Sequence, residues 1–307
     1  MQRKVSKIGP STLMISLPTK WVKTYNIKKG DTLDIIEEGN KLTINNNQQK
    51  QQTSITINAE HLNTMFNRVL GGCYKKGYET IIIQFKDHQQ LISLYPQVTK
   101  KSAWIGLEII EQTETSITLK QISILQPEEY PNLLNRAFLF LIATADETVQ
   151  ATMTGNTEHL QHISERDPTQ NKYCDICRRL LNKTTITNSN VHYYIVEQLE
   201  RIGDIYRDLC KYLAEEKKNL KKSQELLKNV NSLLQAYYKL FYRFSMQGFE
   251  QFGNNYKTLQ KNIQSTINKA DKQEAQALNY VALIAEAIFD MNGALLINHL
   301  HTEHEQH

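Results

Sequence analysis

At 307 residues, 40% of them hydrophobic and 22% charged, the chain is too long for one small core and apolar enough for two or three folded domains. Four scattered cysteines, Cys73, Cys174, Cys177 and Cys210, exclude a disulfide framework, and a polar N-terminus without an apolar run excludes a signal peptide, so a cytoplasmic location and reduced thiols are expected. The formal charge of +4 is unevenly spread: residues 1–50 hold nine basic against four acidic residues, while the other 257 hold 27 against 28. The first thirty residues carry seven Lys or Arg and no acid, the footprint of a polyanion partner, although charge alone suits a solvated basic surface equally well.

Within residues 1–47, Val5 and Ile8 flank a polar strand that Gly9-Pro10-Ser11 breaks. Leu13, Ile15 and Leu17 then alternate with Met14 and Ser16 up to Pro18. Pro18 suits an early helical position, and Trp21, Val22 and Tyr25 give a short helix one apolar face. Gly30 permits a turn into a second hairpin, residues 32–37 and 41–45, with Gly39-Asn40 at its tip. A module this small buries too little surface to stand alone, so it is expected to dimerise.

These residues resemble the AbrB-type swapped-hairpin DNA-binding domains, in the version whose second strand runs Ile15-Ser16-Leu17-Pro18 into a Trp-containing helix. The resemblance implies a homodimer with interleaved hairpins that meets double-stranded DNA through basic residues. By position these are Arg3, Lys4 and Lys7 on strand one, Ser11 and Thr12 in the loop, and Lys20 and Lys23 on the helix. Lys where many relatives use Arg argues for phosphate contacts and shape over bidentate guanine readout, with strong salt dependence. The same fold is the DNA-binding half of some antitoxins.

Residues 45–52 contain no apolar side chain and read as a tether that ends the first domain. Residues 54–125 read as an α/β middle domain: a strand at Ile55-Thr56-Ile57, a helix over 61–76 capped by Gly77, a strand over 80–85, a helix over 89–101, and a hairpin of 105–111 with 116–123. Such an order suits a small sheet with helices on one face. It contains no phosphate-cradling glycine loop and no nucleophile arrangement, so a spacer or dimerisation module, not an enzyme, is expected.

From residue 130 to 300 the period becomes helical. Pro131 opens a first helix that Gly155-Asn156 ends, residues 160–182 form a second that is disturbed at Asp167-Pro168, and 190–214 form a third. Three more stretches, 223–246, 249–268 and 272–300, suggest an internal duplication of a three-helix set. The last helix of each set carries a carboxylate pair at four-residue spacing, Glu200 with Asp204 and Glu286 with Asp290, which places each pair on one face, able to share a cation. Glu197 and Asp208 extend the first stripe, a pattern that a plain solvated face would also show. Glu286 and Asp290 are the only charges between Ala275 and Asn298, and like charges on an apolar helix call for a cation or basic partner. Asn279, Glu286, Asp290 and Asn292 argue against a transmembrane segment there. Cys174-x-x-Cys177 lacks a second matching pair and reads as two core thiols. His299, His301, His304 and His307 have metal-ligating chemistry but lie at a chain end.

Leu199-Glu200-Arg201-Ile202-Gly203-Asp204, Arg178-Arg179-Leu180-Leu181 and, less closely, 285–291 resemble the PhoU family of phosphate-uptake regulators. That resemblance implies two three-helix bundles whose paired acids, Glu200, Asp204, Glu286 and Asp290, bind iron, zinc or similar divalent cations. The expected fold is therefore multidomain: a small β-rich swapped-hairpin domain, an α/β middle region and an all-α domain of two three-helix bundles. The combination resembles an archaeal-type transcriptional regulator of phosphate uptake, with a phosphate transporter or signalling protein as a further partner. The alternative is a PhoU-like signalling adaptor acting on a transporter or kinase without a DNA function. A metal-dependent enzyme ranks third, since neither Glu200 nor Glu286 has a His three residues on.

Overall fold

The computed structural model describes residues 2–38, 41–46, 54–102, 106–122, 125–184, 186–216 and 221–300. The chain forms two compact units, one within Met1–Gln52 and one spanning Thr53–Leu300.

In the N-terminal unit β1 (Ser6–Ile8) and β2 (Thr12–Met14) pair antiparallel with Lys7 opposite Leu13, and β3 (Asp34–Glu38) pairs with β4 (Lys41–Asn45) so that Ile35 faces Ile44. Gly9, at φ 72°, takes the left-handed conformation that starts the first turn. Between the hairpins lies the short helix α1 (Thr19–Thr24). Pro18 is extended (φ −63°, ψ 124°) and stands just outside α1, so the expected early helical proline is instead the residue whose carbonyl accepts from Val22 at 3.0 Å. The second strand stops at Met14, three residues before Leu17, and the expected hairpin tip Gly39-Asn40 lies outside the described residues. None of the described residues of this unit is buried. Its strands are too short and too few to cover one another's apolar side chains.

The second unit begins with a four-stranded sheet of order β5-β6-β8-β7, built from β5 (Ser54–Asn58), β6 (Thr80–Gln84), β7 (Leu107–Gln112) and β8 (Ser116–Gln121). β5 and β6 are parallel, joined through α2 (Phe66–Lys76), and β6-β8-β7 are antiparallel. Alternation on the central strands buries Ile81, Ile83, Ile117 and Leu119, which share a core with Phe66, Leu70 and Tyr74 of α2 and with Leu91, Leu94 and Val98 of α3 (His88–Ser102). Gly77 ends α2 at φ 97°, a conformation open to glycine and costly for other residues.

The helical region consists of α4 (Tyr130–Thr154), α5 (Thr157–Glu165), α6 (Asp167–Lys183), α7 (Ser189–Glu216), α8 (Lys221–Tyr242), α9 (Met246–Ile267), α10 (Lys272–Asp290) and α11 (Asn292–His299). The two expected sets of three are recognisable, each with one interrupted helix. Pro168 in the first turn of α6 has no N–H to continue α5, so the chain restarts at Asp167. At Met291 the Asn292 side-chain amide donates to the Phe289 carbonyl at 2.6 Å, competing with the backbone where α10 gives way to α11. α4 packs on α8 and α7 on α10, while α6 lies against α4 and α7, and α9 against α8 and α10. Residues Lys272–His299 are long and apolar enough to cross a membrane by length and composition, but the stretch is split at Met291, and Leu278, Val281, Ile284 and Ile288 are buried in this packing.

Regions 54–125 and 130–300, read separately from the sequence, pack as one unit through α2 and α6. Arg179 of α6 is 2% exposed. It donates to the carbonyls of Tyr74 (2.5 Å) and Tyr78 (2.9 Å) and to Gln121 Oε1 (2.7 Å), with its guanidinium 4.7 Å from the centre of the Tyr74 ring. Three donated hydrogen bonds compensate a charge that burial otherwise disfavours, and burial does lower its pKa.

Candidate nucleic-acid interface and carboxylate clusters

Every expected DNA-contacting residue of the N-terminal unit is exposed. Lys7 is the middle residue of β1, Ser11 lies in the turn and Thr12 opens β2, so Thr12 belongs to a strand where a loop position was expected. Arg3 and Lys4 precede β1, which begins only at Ser6, so they are not strand residues as expected. Lys20 and Lys23 are on α1, whose Trp21 and Tyr25 rings lie 5.6 Å apart. Lys7 shares a hairpin face with Leu13, because cross-strand partners point the same way. The unit therefore shows cations and uncovered apolar residues together, with Val5, Ile8 and Leu13 all more than half exposed. This arrangement can attract phosphates and bury its apolar strands only against another surface.

The carboxylate pairs are placed differently. Arg178 of α6 has a side chain only 1% exposed, and it is surrounded by Asp175 (2.8 Å), Glu197 and Glu200. Burial opposes its charge, but Glu200, Asp175 and Glu197 outweigh this and raise its pKa. Burial raises the Glu200 carboxyl, with Arg178 pulling it back. Asp204 pairs with Arg207, whose guanidinium also meets Asp208 (2.9 Å) and Asp167 (3.2 Å). Burial raises Asp204 too, with Arg207 opposing. Glu200 and Asp204 thus each have one carboxylate oxygen against a guanidinium.

Glu286 and Asp290 occupy exposed positions on α10, so the expected conflict between their charges and an apolar helix is relieved by water. Asp290 lies 4.0 Å from Arg201 across to α7. Among the described residues no group of three or more His, Cys, Asp or Glu has the arrangement to hold a metal ion. Cys174 and Cys177 are fully buried, and burial pushes the Cys177 thiol up to about 12, as suits two core thiols. The His299 ring stacks on Phe244 at 4.9 Å, with Nε2 3.0 Å from the Phe241 carbonyl oxygen, while His301, His304 and His307 lie outside the described residues.

Sequence reading missed the opposed roles of the two consecutive arginines, Arg178 facing the α7 acids and Arg179 facing the α/β part. Its available signal was that two charges sit beside Cys177 and Leu180 inside an apolar helical stripe.

No curated protein and no solved structure matches the chain. Residues 7–52 match the family model of the antidote-toxin recognition protein MazE, a bacterial antitoxin, which covers the two hairpins and α1 and gives the N-terminal unit an AbrB/MazE-type domain.

Proposed function

We propose that the protein is a homodimeric DNA-binding regulator whose N-terminal unit holds duplex DNA mainly by its phosphates. The observation that carries this reading is an acid-free first thirty residues with seven cations, running into a MazE-type domain over residues 7–52 whose apolar strands are uncovered within their own unit. A second copy is the occupant that suits those strands. Each Leu or Ile fully removed from water contributes up to about 1.5–3 kcal/mol, and a small module needs that contribution.

The finer reading is control of phosphate uptake, with the helical region as the sensing part, and it rests on the sequence resemblance of α6, α7 and α10 to phosphate-uptake regulators. Glu200 and Asp204 each pair with an arginine, Arg178 and Arg207, so a cation shared between them would have to compete with those guanidinium groups. An antitoxin-like role is the second reading, favoured by the match over residues 7–52.

The test is fluorescence anisotropy of the full chain on duplex DNA from upstream of phosphate-transporter genes and on a shuffled duplex, across a salt series. The regulator reading expects affinity to fall steeply with salt. It also expects Lys4→Gln/Lys7→Gln/Lys23→Gln to flatten the slope by about 2–3, because each phosphate that a lysine no longer neutralises removes about 0.9 from it. Equal affinity for both duplexes would remove the phosphate-uptake assignment and keep DNA binding. No binding at low salt would end the regulator reading.

A further inference from the structure

The charge surplus of the N-terminus recurs in the second unit. Residues 222–269 carry seven Lys or Arg against two acids, Glu225 and Glu250, and this surplus of five equals that of the first fifty residues. It disappears in the chain-wide balance because the rest of the second unit is acidic. All seven cations are exposed, and they fall on α8, on α9 or in the segments that follow them.

Between α8 and α9 runs a groove of about 280 Å³, lined by Asn229, Ser232, Asn255, Thr258 and Asn262 over Leu233 and Leu259. No charged side chain lines it. Asn255 accepts from Gln251 Nε2 at 2.8 Å through its oxygen, which leaves its amide N–H groups to donate. The side chains of Asn229 and Asn262 make no hydrogen bond among the described residues. Lys228, Lys257 and Lys261 each adjoin a groove residue in sequence, Asn229, Thr258 and Asn262, about 100° further round the helix. None of the three pairs with a carboxylate among the described residues.

We propose that the α8–α9 face is a second phosphate-binding surface, which contacts the backbone of duplex DNA. Ammonium groups beside amide and hydroxyl donors are the chemistry by which proteins hold a phosphate backbone without reading bases. A membrane surface would need apolar residues on the same face, yet the exposed large apolar side chains of α8 and α9, Tyr242 and Met246, stand at the turn between the helices and not among the groove residues. Unlike the N-terminal unit, this face stands on a buried core of its own: Phe252, Tyr256, Leu259 and Ile263 anchor α9 from beneath.

The test uses the full chain and four proteins: wild type, Lys228→Gln/Lys257→Gln/Lys261→Gln, the N-terminal triple variant above, and the two combined. Anisotropy on two unrelated duplexes across a salt series should show the helix variant flattening the slope of log K against log salt by about 2–3, near 0.9 per neutralised phosphate, equally on both. Lys→Arg at the same three positions should restore it, since charge and not shape is at issue. An unchanged slope in the helix variant overturns the proposal whatever the N-terminal variant does. A flattened slope in the helix variant with none in the N-terminal variant would uphold this surface and sink the N-terminal reader instead. If phosphatidylserine–phosphatidylcholine vesicles bind the wild type and not the helix variant, while the DNA slope is unmoved, the face serves a membrane and the proposal fails.

Discussion

In the N-terminal unit Leu13, Ile35 and Leu42 are each more than 60% exposed, whereas in the second unit Leu199, Ile202 and Phe138 have no exposed surface. The residue types are the same and the environments are opposite. Strands of three to five residues in two separate hairpins offer no second layer, while helices of 17 to 28 residues such as α6 and α7 present long stripes that bury one another. An apolar pattern therefore states that a face will be covered, not that its own chain will cover it. In the second unit the cover comes from within the unit; in the first, no part of the unit supplies it.

The harshest way to break the self-sufficient unit is Arg178→Met. It removes the guanidinium from among Asp175, Glu197 and Glu200 and leaves only Lys75, 3.9 Å from Asp175, to offset them, which costs roughly 3 kcal/mol, the lower end for a buried pair broken on one side. The urea midpoint of the cooperative transition should fall accordingly, and an unmoved midpoint would show that the guanidinium does not hold those acids.

A matched pair of truncations sharpens the contrast directly. Leu199→Ala should cost about 2–5 kcal/mol in the second unit at any protein concentration. Leu13→Ala should cost no more than about 0.5 kcal/mol if the single chain is the final state, and otherwise should weaken self-association. Sedimentation velocity over a dilution series decides it: wild-type and Leu13→Ala proteins that dissociate alike would mean that no second copy covers β1 and β2.

The smallest effect concerns pH. His192, at the start of α7, has Nδ1 3.0 Å from the Tyr130 hydroxyl and Nε2 2.9 Å from Asn298 Oδ1, so it ties the entry of α4 to α11. Burial lowers its pKa below the ordinary 6.5, the Asn298 bond opposes this, and His299 adds to it. A depressed histidine binds fewer protons folded than unfolded, so its contribution is complete above pH 6.5 and is lost as pH falls toward its folded value. Thermal melts from pH 7.5 to 5 should show this loss in the wild type and less of it in His192→Gln; parallel pH profiles would remove His192 as the cause.

Much of the architecture was legible because period reports local geometry. The β-branched run Ile81-Ile82-Ile83, and the stripe of Ile195, Leu199, Ile202 and Tyr206, identify β6 and α7 without a structure. The α5–α6 break was foretold by Pro168, whereas the signal for the break at Met291, Asn292-Gly293, is easily passed over inside an otherwise apolar helical stretch. For the candidate site the boundary is similar. Cations without acids in residues 1–30 are visible as composition, but the basic α8–α9 face was hidden by averaging it with acidic segments that lie elsewhere in the fold.

By itself the sequence determined the order of strands and helices, the acid-free charge of the first thirty residues and the shortness of the N-terminal hairpins, since all three follow from composition and local spacing. Only the tertiary structure decided what stands opposite each carboxylate. Four-residue spacing puts Glu200 beside Asp204 on α7, but the Arg178 that neutralises Glu200 comes from α6, and its approach is set by how the two helices pack. The same spacing puts Glu286 and Asp290 on a face that the packing of α10 leaves to water. A helical face is a property of local sequence, whereas its neighbour is a property of the fold.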